Sequence, residues 1–260
     1  LARWQGYIQH LVVLPAGRWD LGGLLSGTAE GGYAGGKLTA HATVSLRDGM
    51  LGYPPRSLVA TGVSADFTIT DLDRFITAPG LVRIAELKAG EIRATALELE
   101  LAFDTAERIA VSRATLEAFG GRLAAEPFKV FLRSDELEAT LLVDGMDVTQ
   151  VLALVKDAPA KAQGRVDGRV PIRIDAGGLR FGTGWLELKR GVHAEVQFNA
   201  SGLLTRGVAP NDLRYPTLQR IEAGLLRLKL KELRLDLRPP GGPPGRSATI
   251  RLAGEPVDPT

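Results

Sequence analysis

The fold of this chain is decided by two stretches, MDVTQVLALV at residues 146–155 and GRVDGRVPIRID at residues 164–175. The apolar residues of the first stretch recur at the spacing of a helix: Val148, Val151, Leu152 and Val155. This spacing predicts a short helix. Either Asp147 or Thr149 can cap its start, because a short side-chain oxygen accepts hydrogen bonds from the free amides of a first turn.

The second stretch alternates with period two, which predicts a strand. Its apolar face carries Val166, Val170, Ile172 and Ile174. Its polar face carries Arg165, Arg169, Arg173 and Asp175, and Gly168 interrupts the pattern. One short helix therefore sits in a chain of strands, and we interpret it as a plug or cap on a sheet.

The rest of the chain alternates in the same way. Residues that share a predicted apolar face include Thr95, Leu97, Leu99, Leu101 and Phe103, and later Leu226, Leu228, Leu230, Leu233, Leu235 and Leu237. The late leucines change phase at Lys231-Glu232, which predicts a β-bulge. Because no crossover helices separate the strands, we expect a mainly β fold with an antiparallel sheet and one or two short helices.

Composition narrows the classes of function. Lys plus Arg is 32 against Asp plus Glu 30, a net charge of +2, and the basic residues alternate with apolar ones, so nucleic-acid binding is not expected. The absence of cysteine excludes disulfides and thiolate chemistry. No apolar run is long enough to cross a bilayer as a helix, and no signal peptide is visible.

Motifs of catalysis and metal binding are missing. His10, His41 and His193 lack metal-ligand spacing, and there is no hydrolase elbow, Walker sequence or dinucleotide fingerprint. We therefore predict no enzyme activity, no cofactor and no metal site.

Three weaker patterns have simpler interpretations. The glycine cluster 30–36 is interpreted as a hairpin and not as a phosphate loop. Asp71 and Asp73 are interpreted as capping residues of a helical turn within 71–76. Asn199-Ala200-Ser201 is interpreted as a chance match to the glycosylation triplet.

A sheet with one apolar face must bury that face. A second sheet, in a sandwich or barrel, is one solution. The other is a sheet that curls into a groove and holds lipid chains on its apolar face, where each methylene contributes roughly 0.8 kcal/mol.

A family resemblance favours the groove. The motifs 71–80, 119–128, 145–154, 164–174 and 250–256 occur in the order found in the C-terminal region of the YdbH family, which the chain resembles over residues 58–260. That family belongs to the AsmA-like, bridge-like lipid transfer proteins of Gram-negative envelopes, and its C-terminal region is also labelled a dicarboxylate transport domain. Between Gly191 and Leu225 the chain departs from the family pattern, which has a short helix with aromatic residues there.

The resemblance implies an elongated, curled antiparallel sheet that forms a β-groove in the periplasm. Residues 1–260 would form a single segment of it, the C-terminal part of a longer chain whose N-terminal helix anchors it to the inner membrane. The implied function is phospholipid transport between the inner and outer membranes. The resemblance also implies a partner, a small outer-membrane lipoprotein that adds a strand to a sheet edge. The expected groove lining consists of Leu97, Leu99, Leu101, Phe103, Val170, Ile172, Ile174, Leu226, Leu228, Leu230, Leu233, Leu235 and Leu237.

Two other functions stay open at this point. A structural or assembly module of the cell envelope would pack the same sheet on a partner protein and would have a dry, closed core. A soluble binder of small dicarboxylates would need convergent arginines in a pocket, for which the sequence gives no sign. Each lining residue also has the simpler interpretation of ordinary core.

Overall fold

The structure is a computed structural model that describes residues 20–34, 37–54, 57–72, 74–134, 136–153, 160–175, 177–198, 205, 207–237 and 248–257. Contacts divide the chain into two compact units, each built from three segments. Unit 1 comprises Leu1–Ala118, Arg122–Leu142 and Val170–Gly182. Unit 2 comprises Phe119–Gly121, Val143–Arg169 and Thr183–Thr260.

The described residues form 17 strands and two helices. The first nine strands are β1 (Asp20–Ala34), β2 (Lys37–Tyr53), β3 (Leu58–Asp71), β4 (Ile76–Thr77), β5 (Gly80–Ala89), β6 (Ile92–Thr105), β7 (Arg108–Ala118), β8 (Gly121–Ala125) and β9 (Phe128–Phe131). The remaining elements are β10 (Leu137–Asp147), α1 (Val148–Leu152), β11 (Ala160–Gln163), β12 (Arg165–Asp175), β13 (Gly178–Phe181), β14 (Gly184–Leu188), β15 (Glu195–Phe198), α2 (Tyr215–Leu226), β16 (Arg227–Leu237) and β17 (Ala248–Pro256).

The strand pairs with a defined register are all antiparallel. The prediction of a mainly β, antiparallel fold with one or two short helices is thus confirmed. The groove-like curl and the single segment over residues 1–260 stay predictions. Neither described helix has the length and apolar character that a bilayer crossing requires.

Helix α1 begins where the sequence predicts. Asp147 caps it, since its Oδ1 atom accepts a hydrogen bond of 2.8 Å from the Thr149 amide. The Thr149 hydroxyl has another use, because it donates to the Ala162 carbonyl of β11 at 3.0 Å. Val155, predicted as the last apolar residue of this helix, lies outside the described residues.

Four other local predictions can be compared with the structure. The glycine cluster is a hairpin: Tyr33 pairs with Leu38 where β1 meets β2, and residues 35 and 36 lie outside the described part. The β-bulge in β16 is confirmed by a register shift between Leu230 and Glu232. The prediction of a helical turn over 71–76 is wrong, because the described residues of this range form a tight turn that leads into β4. Asp73 lies outside the described residues.

The fourth comparison concerns Leu226, which the sequence places in the same strand as Leu228. The structure corrects this, since Leu226 is the last residue of α2 and β16 begins one residue later. A single leucine at such a boundary fits the period of the helix and of the strand equally well. Helix α2 itself lies in the stretch that departs from the family pattern.

A line of irregular positions crosses unit 1. We call it the bulge line, and it consists of Asp48, Gly62, Ala85 and Ala96 on the adjacent strands β2, β3, β5 and β6. At Asp48, Ala85 and Ala96 two successive residues are exposed, so the alternation changes phase. In β3 the phase changes between the buried residues Ala60 and Ala65, on either side of Gly62. Three of the four have positive φ angles, of 49° at Asp48, 63° at Gly62 and 49° at Ala96.

The bulge line corrects one detail of the predicted apolar face. Thr95 is exposed, and Ala94 is buried in its place with only 5 % of its surface accessible. The register of β6 against β7 shifts between Thr95 and Glu98, which brings Ala94 and Leu97 to the same face. Aligned bulges of this kind increase local twist and bend a sheet.

Candidate functional site

The apolar face of unit 1 is a set of rows that run across the strands. Directly paired residues of antiparallel strands point to the same side of a sheet. The longest row crosses the six strands β1, β2, β3, β5, β6 and β7 through Leu25, Leu46, Ala65, Val82, Leu99 and Ala114. With about 4.8 Å between strands, this row is roughly 24 Å long.

Parallel rows widen this face on both sides. Val63, Ile84 and Leu97 form the next row, and Leu101 lies between Gly80 of β5 and Val111 of β7 in another. Four predicted lining residues, Leu97, Leu99, Leu101 and Phe103, thus belong to one surface. No helix of the described residues belongs to unit 1.

Large apolar side chains are incompletely covered. Among the described residues, none is both large and less than 2 % exposed. Leu25, at one end of the longest row, is 46 % exposed, whereas Leu97 and Leu101 in β6 are each 8 % exposed. Exposure of this kind at one end of an apolar row indicates surface that a further apolar group can cover.

One end of this face is closed by three phenylalanines, which we call the aromatic wall: Phe67, Phe75 and Phe103. The ring centroid of Phe103 is 5.9 Å from that of Phe67 and 5.2 Å from that of Phe75, and both pairs are edge-to-face. The Phe67 ring lies across Gly80, where an added Cβ would be 2.4 Å from it. Below the wall the buried Thr77 hydroxyl accepts a hydrogen bond of 2.9 Å from the Phe103 amide.

The opposite face of unit 1 is polar and charge-balanced. Arg47 donates to Asp66 at 2.7 Å. Glu98 accepts from both Arg83 and Arg113, each at 3.2 Å. These side chains are half exposed, so solvent screens the ion pairs and they add little stability. Their main effect is to mark this face as the solvated one.

A concavity of about 520 Å³ opens where the bulge line passes between these ion pairs. It exists because Gly62, Ala85 and Ala96 carry little or no side chain. Its lining also includes Arg83, Glu98 and Arg122, and a charged lining does not suit an acyl chain. We therefore place the candidate site on the apolar face.

Unit 1 contains a second apolar patch, on β12 and β13. Ile172 pairs with Phe181 and Ile174 with Leu179. Phe181 is 45 % exposed and Leu179 is 53 % exposed, while the predicted lining residue Val170 is buried. Ile172 and Ile174 are therefore next to uncovered apolar surface, and Val170 is core.

The remaining predicted lining residues lie in unit 2. Leu228, Leu230 and Leu233 pack in a cluster around Ala194 and Val196. Three of its members are nearly inaccessible: Ala194, Val196 and Leu230. The cluster is ordinary core as it stands, so a lining role for these three leucines stays a prediction.

Leu235 and Leu237 of β16 have a more open setting. Leu235 pairs with Leu186 on one side and with Ile250 of β17 on the other. Ile250 is 62 % exposed. Leu237 pairs with Gly184 and Ala248, and Leu226 at the end of α2 is partly buried.

Several residues of these surfaces were missed by sequence reasoning. The missed residues are Leu25, Leu46, Val82, Ile84, Leu179, Phe181 and Ile250. Alternation is visible in the sequence around Leu46 and Val82. It shows on which face of the sheet a residue lies, but not which residues of the adjacent strands lie beside it. The exposure of Leu25, Leu179 and Ile250 follows from strand pairing, which no pattern within one strand reveals.

Three of the family-like motifs, 119–128, 145–154 and 164–174, meet around Arg165. Its guanidinium group donates to the Gly120 carbonyl at 2.8 Å and to the Gly145 carbonyl at 3.0 Å. Asp167 accepts from the Gly145 amide at 2.7 Å. Lys189 bonds Asp144 nearby, and this bond raises the pKa of Lys189. These residues hold turns in place.

The histidines and the Asp71–Asp73 pair have ordinary structural settings where they are described. Among the described residues, no group of three or more histidine and acidic side chains could hold a metal ion. Asp71 accepts from the Arg74 amide at 3.0 Å, as a turn-capping residue does. His193 donates to Glu195 at 2.9 Å, His41 is exposed on β2, and His10 lies outside the described residues, as do Asn199, Ala200 and Ser201.

Acid should weaken the folded chain through its paired carboxylates. The hydrogen bond from His193, followed by that from Arg227, lowers the pKa of Glu195 below its usual 4.5. A carboxyl whose pKa is lowered by folding stabilises the folded state above its unfolded pKa, and this contribution is lost as pH falls through the folded pKa. We expect the melting temperature to fall between about pH 5 and pH 3, and to fall less in Glu195→Gln. Circular dichroism melts at several pH values measure this, and equal pH dependence in both proteins would contradict it.

Together, these features define an amphipathic β-sheet protein whose apolar face is incompletely covered. The chain belongs to the YdbH-like family, since the family model, described as intermembrane phospholipid transport protein YdbH, matches residues 8–190. This family is one of intermembrane phospholipid transport and not a known class of enzyme. No curated protein and no solved structure matches the chain.

The matched range confirms the resemblance and shifts its boundaries. It includes residues 8–57, which carry none of the motifs that suggested the family, and it ends before the late motif 250–256. The longest apolar row, from Leu25 to Ala114, and the aromatic wall lie inside the matched range.

Proposed function

We propose that this chain is a section of a periplasmic conduit that carries phospholipids between the inner and outer membranes, with their acyl chains on its apolar faces. The observation that carries the proposal is the apolar row that crosses six strands and ends in half-exposed Leu25. Family membership supports phospholipid as the cargo. No bond is made or broken in such transport, and no cofactor is needed.

The energetics of the face suit passive movement. Each buried methylene contributes roughly 0.8 kcal/mol, so several methylenes on these rows hold a lipid tail out of water. Successive strands offer similar apolar contacts, such as Ala65, Val82 and Leu99, so a tail that moves by one strand exchanges one set of contacts for another. Movement along the row therefore needs no energy source.

The proposed lining also includes residues of the other predicted surfaces, each within its own unit. In unit 1 it includes Ile172 and Ile174 beside their exposed partners, and in unit 2 it includes Leu235 beside Ile250. The bulge line supports a curled sheet, because aligned bulges bend strands in one direction. An inner-membrane anchor elsewhere in a longer chain and a small outer-membrane lipoprotein that adds a strand to a sheet edge complete the proposal.

Leu25→Asp tests the conduit. Leu25 is 46 % exposed, so the change should leave the fold intact while it puts a carboxylate on the longest row. We expect about tenfold less co-purified phospholipid, because one leucine contributes roughly 1.5–3 kcal/mol of apolar burial and 1.4 kcal/mol is a factor of ten. Native mass spectrometry and lipid extraction of the same sample measure it.

Ser26→Asp is the matched control, because Ser26 is the exposed next residue of β1 and points to the opposite face. Its lipid content should equal that of the unchanged chain. Equal lipid in Leu25→Asp would remove this row from the path. A well-folded chain that carries no phospholipid at all would favour a module of envelope assembly that packs on a partner protein.

A further inference from the structure

We propose that the outward side of helix α2, together with the turn before it, binds the surface of an anionic phospholipid bilayer. We call this side the docking surface, and it consists of five exposed residues: Leu213, Pro216, Thr217, Arg220 and Ile221. The inference goes beyond the proposed function, because it concerns contact with a bilayer and not the lipid that the apolar faces carry. The docking surface also lies outside the residues that the family model matches.

The inward side of α2 fixes the direction of the docking surface. Tyr215 and Leu218 are partly buried and Glu222 is buried, and their spacing of three and four residues places them on one side of the helix. The Glu222 carboxylate accepts hydrogen bonds from the Thr205 amide at 3.1 Å and from the Thr205 hydroxyl at 2.8 Å. This side therefore packs on the rest of unit 2, and the docking surface faces solvent.

Leu213 is an apolar side chain presented to solvent by an ordered turn. It is 96 % exposed, the highest value among the large apolar side chains that the structure describes. The Asp212 amide donates to the Ala209 carbonyl at 2.9 Å, and the Tyr215 amide donates to the Asp212 carbonyl at 2.9 Å, so hydrogen-bonded turns flank Leu213. The Asp212 carboxylate also accepts from the Arg214 amide at 2.8 Å. Contact of such a leucine with water is unfavourable, and insertion into an apolar medium removes it.

The charges around Leu213 favour an anionic partner. Helix α2 and the turn before it contain two acidic residues, Asp212 and Glu222. Asp212 is neutralised by Arg214, whose guanidinium group donates to it at 2.9 Å, and Glu222 is on the buried side. Arg220 is exposed and has no ion-pair partner among the described residues. A cation beside exposed apolar groups is typical of membrane-surface segments, in which the cation contacts lipid phosphates and the apolar groups enter the acyl region.

The size of the docking surface favours a bilayer over a protein as the partner. Its five exposed residues are few compared with the roughly 20–30 residues that each side of a stable protein complex contributes. A bilayer surface needs only a few inserted apolar groups and a cation near its phosphates. Leu213 and Ile221, which is 49 % exposed, supply the apolar groups, and Arg220 supplies the cation.

Vesicle binding tests the docking surface. Purified chain is mixed with sucrose-loaded vesicles of phosphatidylglycerol, and the bound fraction is measured by sedimentation. For Leu213→Asn we expect at least about tenfold weaker partitioning, because the apolar side chain that leaves water on binding is gone. For Arg220→Gln we expect about fivefold weaker partitioning on these vesicles, and no such effect on phosphatidylcholine vesicles, which carry no net charge. Both residues are exposed, so both variants should fold.

Leu24→Asn is the matched control, because Leu24 is 69 % exposed on β1 in unit 1. It should bind vesicles as the unchanged chain does. The chain contains no cysteine, so an NBD label on a Leu213→Cys variant reports on this position alone. Its fluorescence should increase and shift to the blue on phosphatidylglycerol vesicles, and the same label on Leu24→Cys should not respond.

Equal sedimentation of Leu213→Asn and the unchanged chain, or a label at position 213 that does not respond to vesicles, overturns the docking surface. Loss of dimers in Leu213→Asn by analytical ultracentrifugation, without vesicle binding by the unchanged chain, would make a second copy the partner and overturn the bilayer. The conduit is tested separately by the lipid content of Leu25→Asp, which should bind vesicles normally. A chain that carries no phospholipid but binds vesicles through Leu213 would refute the conduit and leave the docking surface standing.

Discussion

Gly80→Val is expected to destabilise unit 1 by at least about 3 kcal/mol, since overfilling a packed site and disturbing backbone contacts are both costly. Gly80 is buried in β5, and a Cβ there would be 2.4 Å from the Phe67 ring and 2.5 Å from the Asp66 carbonyl oxygen. The ring could rotate away, but the carbonyl belongs to the neighbouring strand and cannot. Urea unfolding followed by far-ultraviolet circular dichroism measures the loss.

The matched control for this change is Gly32→Val. Gly32 is an exposed residue of β1, and a Cβ at this position would have no atom within 4 Å. Its urea midpoint should stay within the error of the unchanged chain. If Gly80→Val unfolds at the same urea concentration as Gly32→Val, then the close packing of Phe67 over β5 is not present in solution.

Gly168→Val is expected to have a comparable effect on unit 2. Gly168 is the position that interrupts the alternation of β12, and a Cβ there would lie 2.2 Å from the Trp185 carbonyl oxygen and 2.7 Å from a Leu186 methyl carbon. Because Gly168 pairs with Leu186 in register, the two strands would have to separate. We expect a loss of about 3 kcal/mol, and a smaller loss for Gly168→Ala.

Hydrogen exchange followed by mass spectrometry localises this second effect. Peptides that contain residues 165–169 and 184–188 should exchange faster in Gly168→Val, since their ladder of hydrogen bonds is disturbed. Ala253→Val, on the exposed strand β17, is the control and should not alter these peptides. Protection of both peptides equal to that of the unchanged chain would contradict the close approach of β12 and β14.

Much of the fold could be predicted because alternation is a local property. The strands around Leu97, Ile172 and Leu230 are visible in the sequence, and so is the bulge in β16, where two charged residues, Lys231 and Glu232, follow each other. The bulge line could not be found in this way. Three of its four positions carry Gly62, Ala85 and Ala96, and such small residues occur on either face of a strand, so the change of phase is hidden there. Only Arg47-Asp48, two successive charged residues, shows it in the sequence.

The candidate site was predictable only in part, for a related reason. Sequence reasoning identified Leu99 and Leu101 as apolar, but which residues of other strands complete their rows depends on register. The aromatic wall joins Phe67, Phe75 and Phe103, and no local pattern connects them. Distances in sequence between such residues carry no information about pairing until the turns are known.

The division of the chain into two interleaved units affects its synthesis on the ribosome and the design of fragments for expression. Each unit takes three segments, and the last segment of unit 1 is Val170–Gly182, while unit 2 already begins at Phe119. On a ribosome, unit 1 is therefore incomplete until residue 182 has been synthesised. No single cleavage of the backbone separates the two units as whole pieces, so fragments designed for expression should keep residues 119–182 together with the rest.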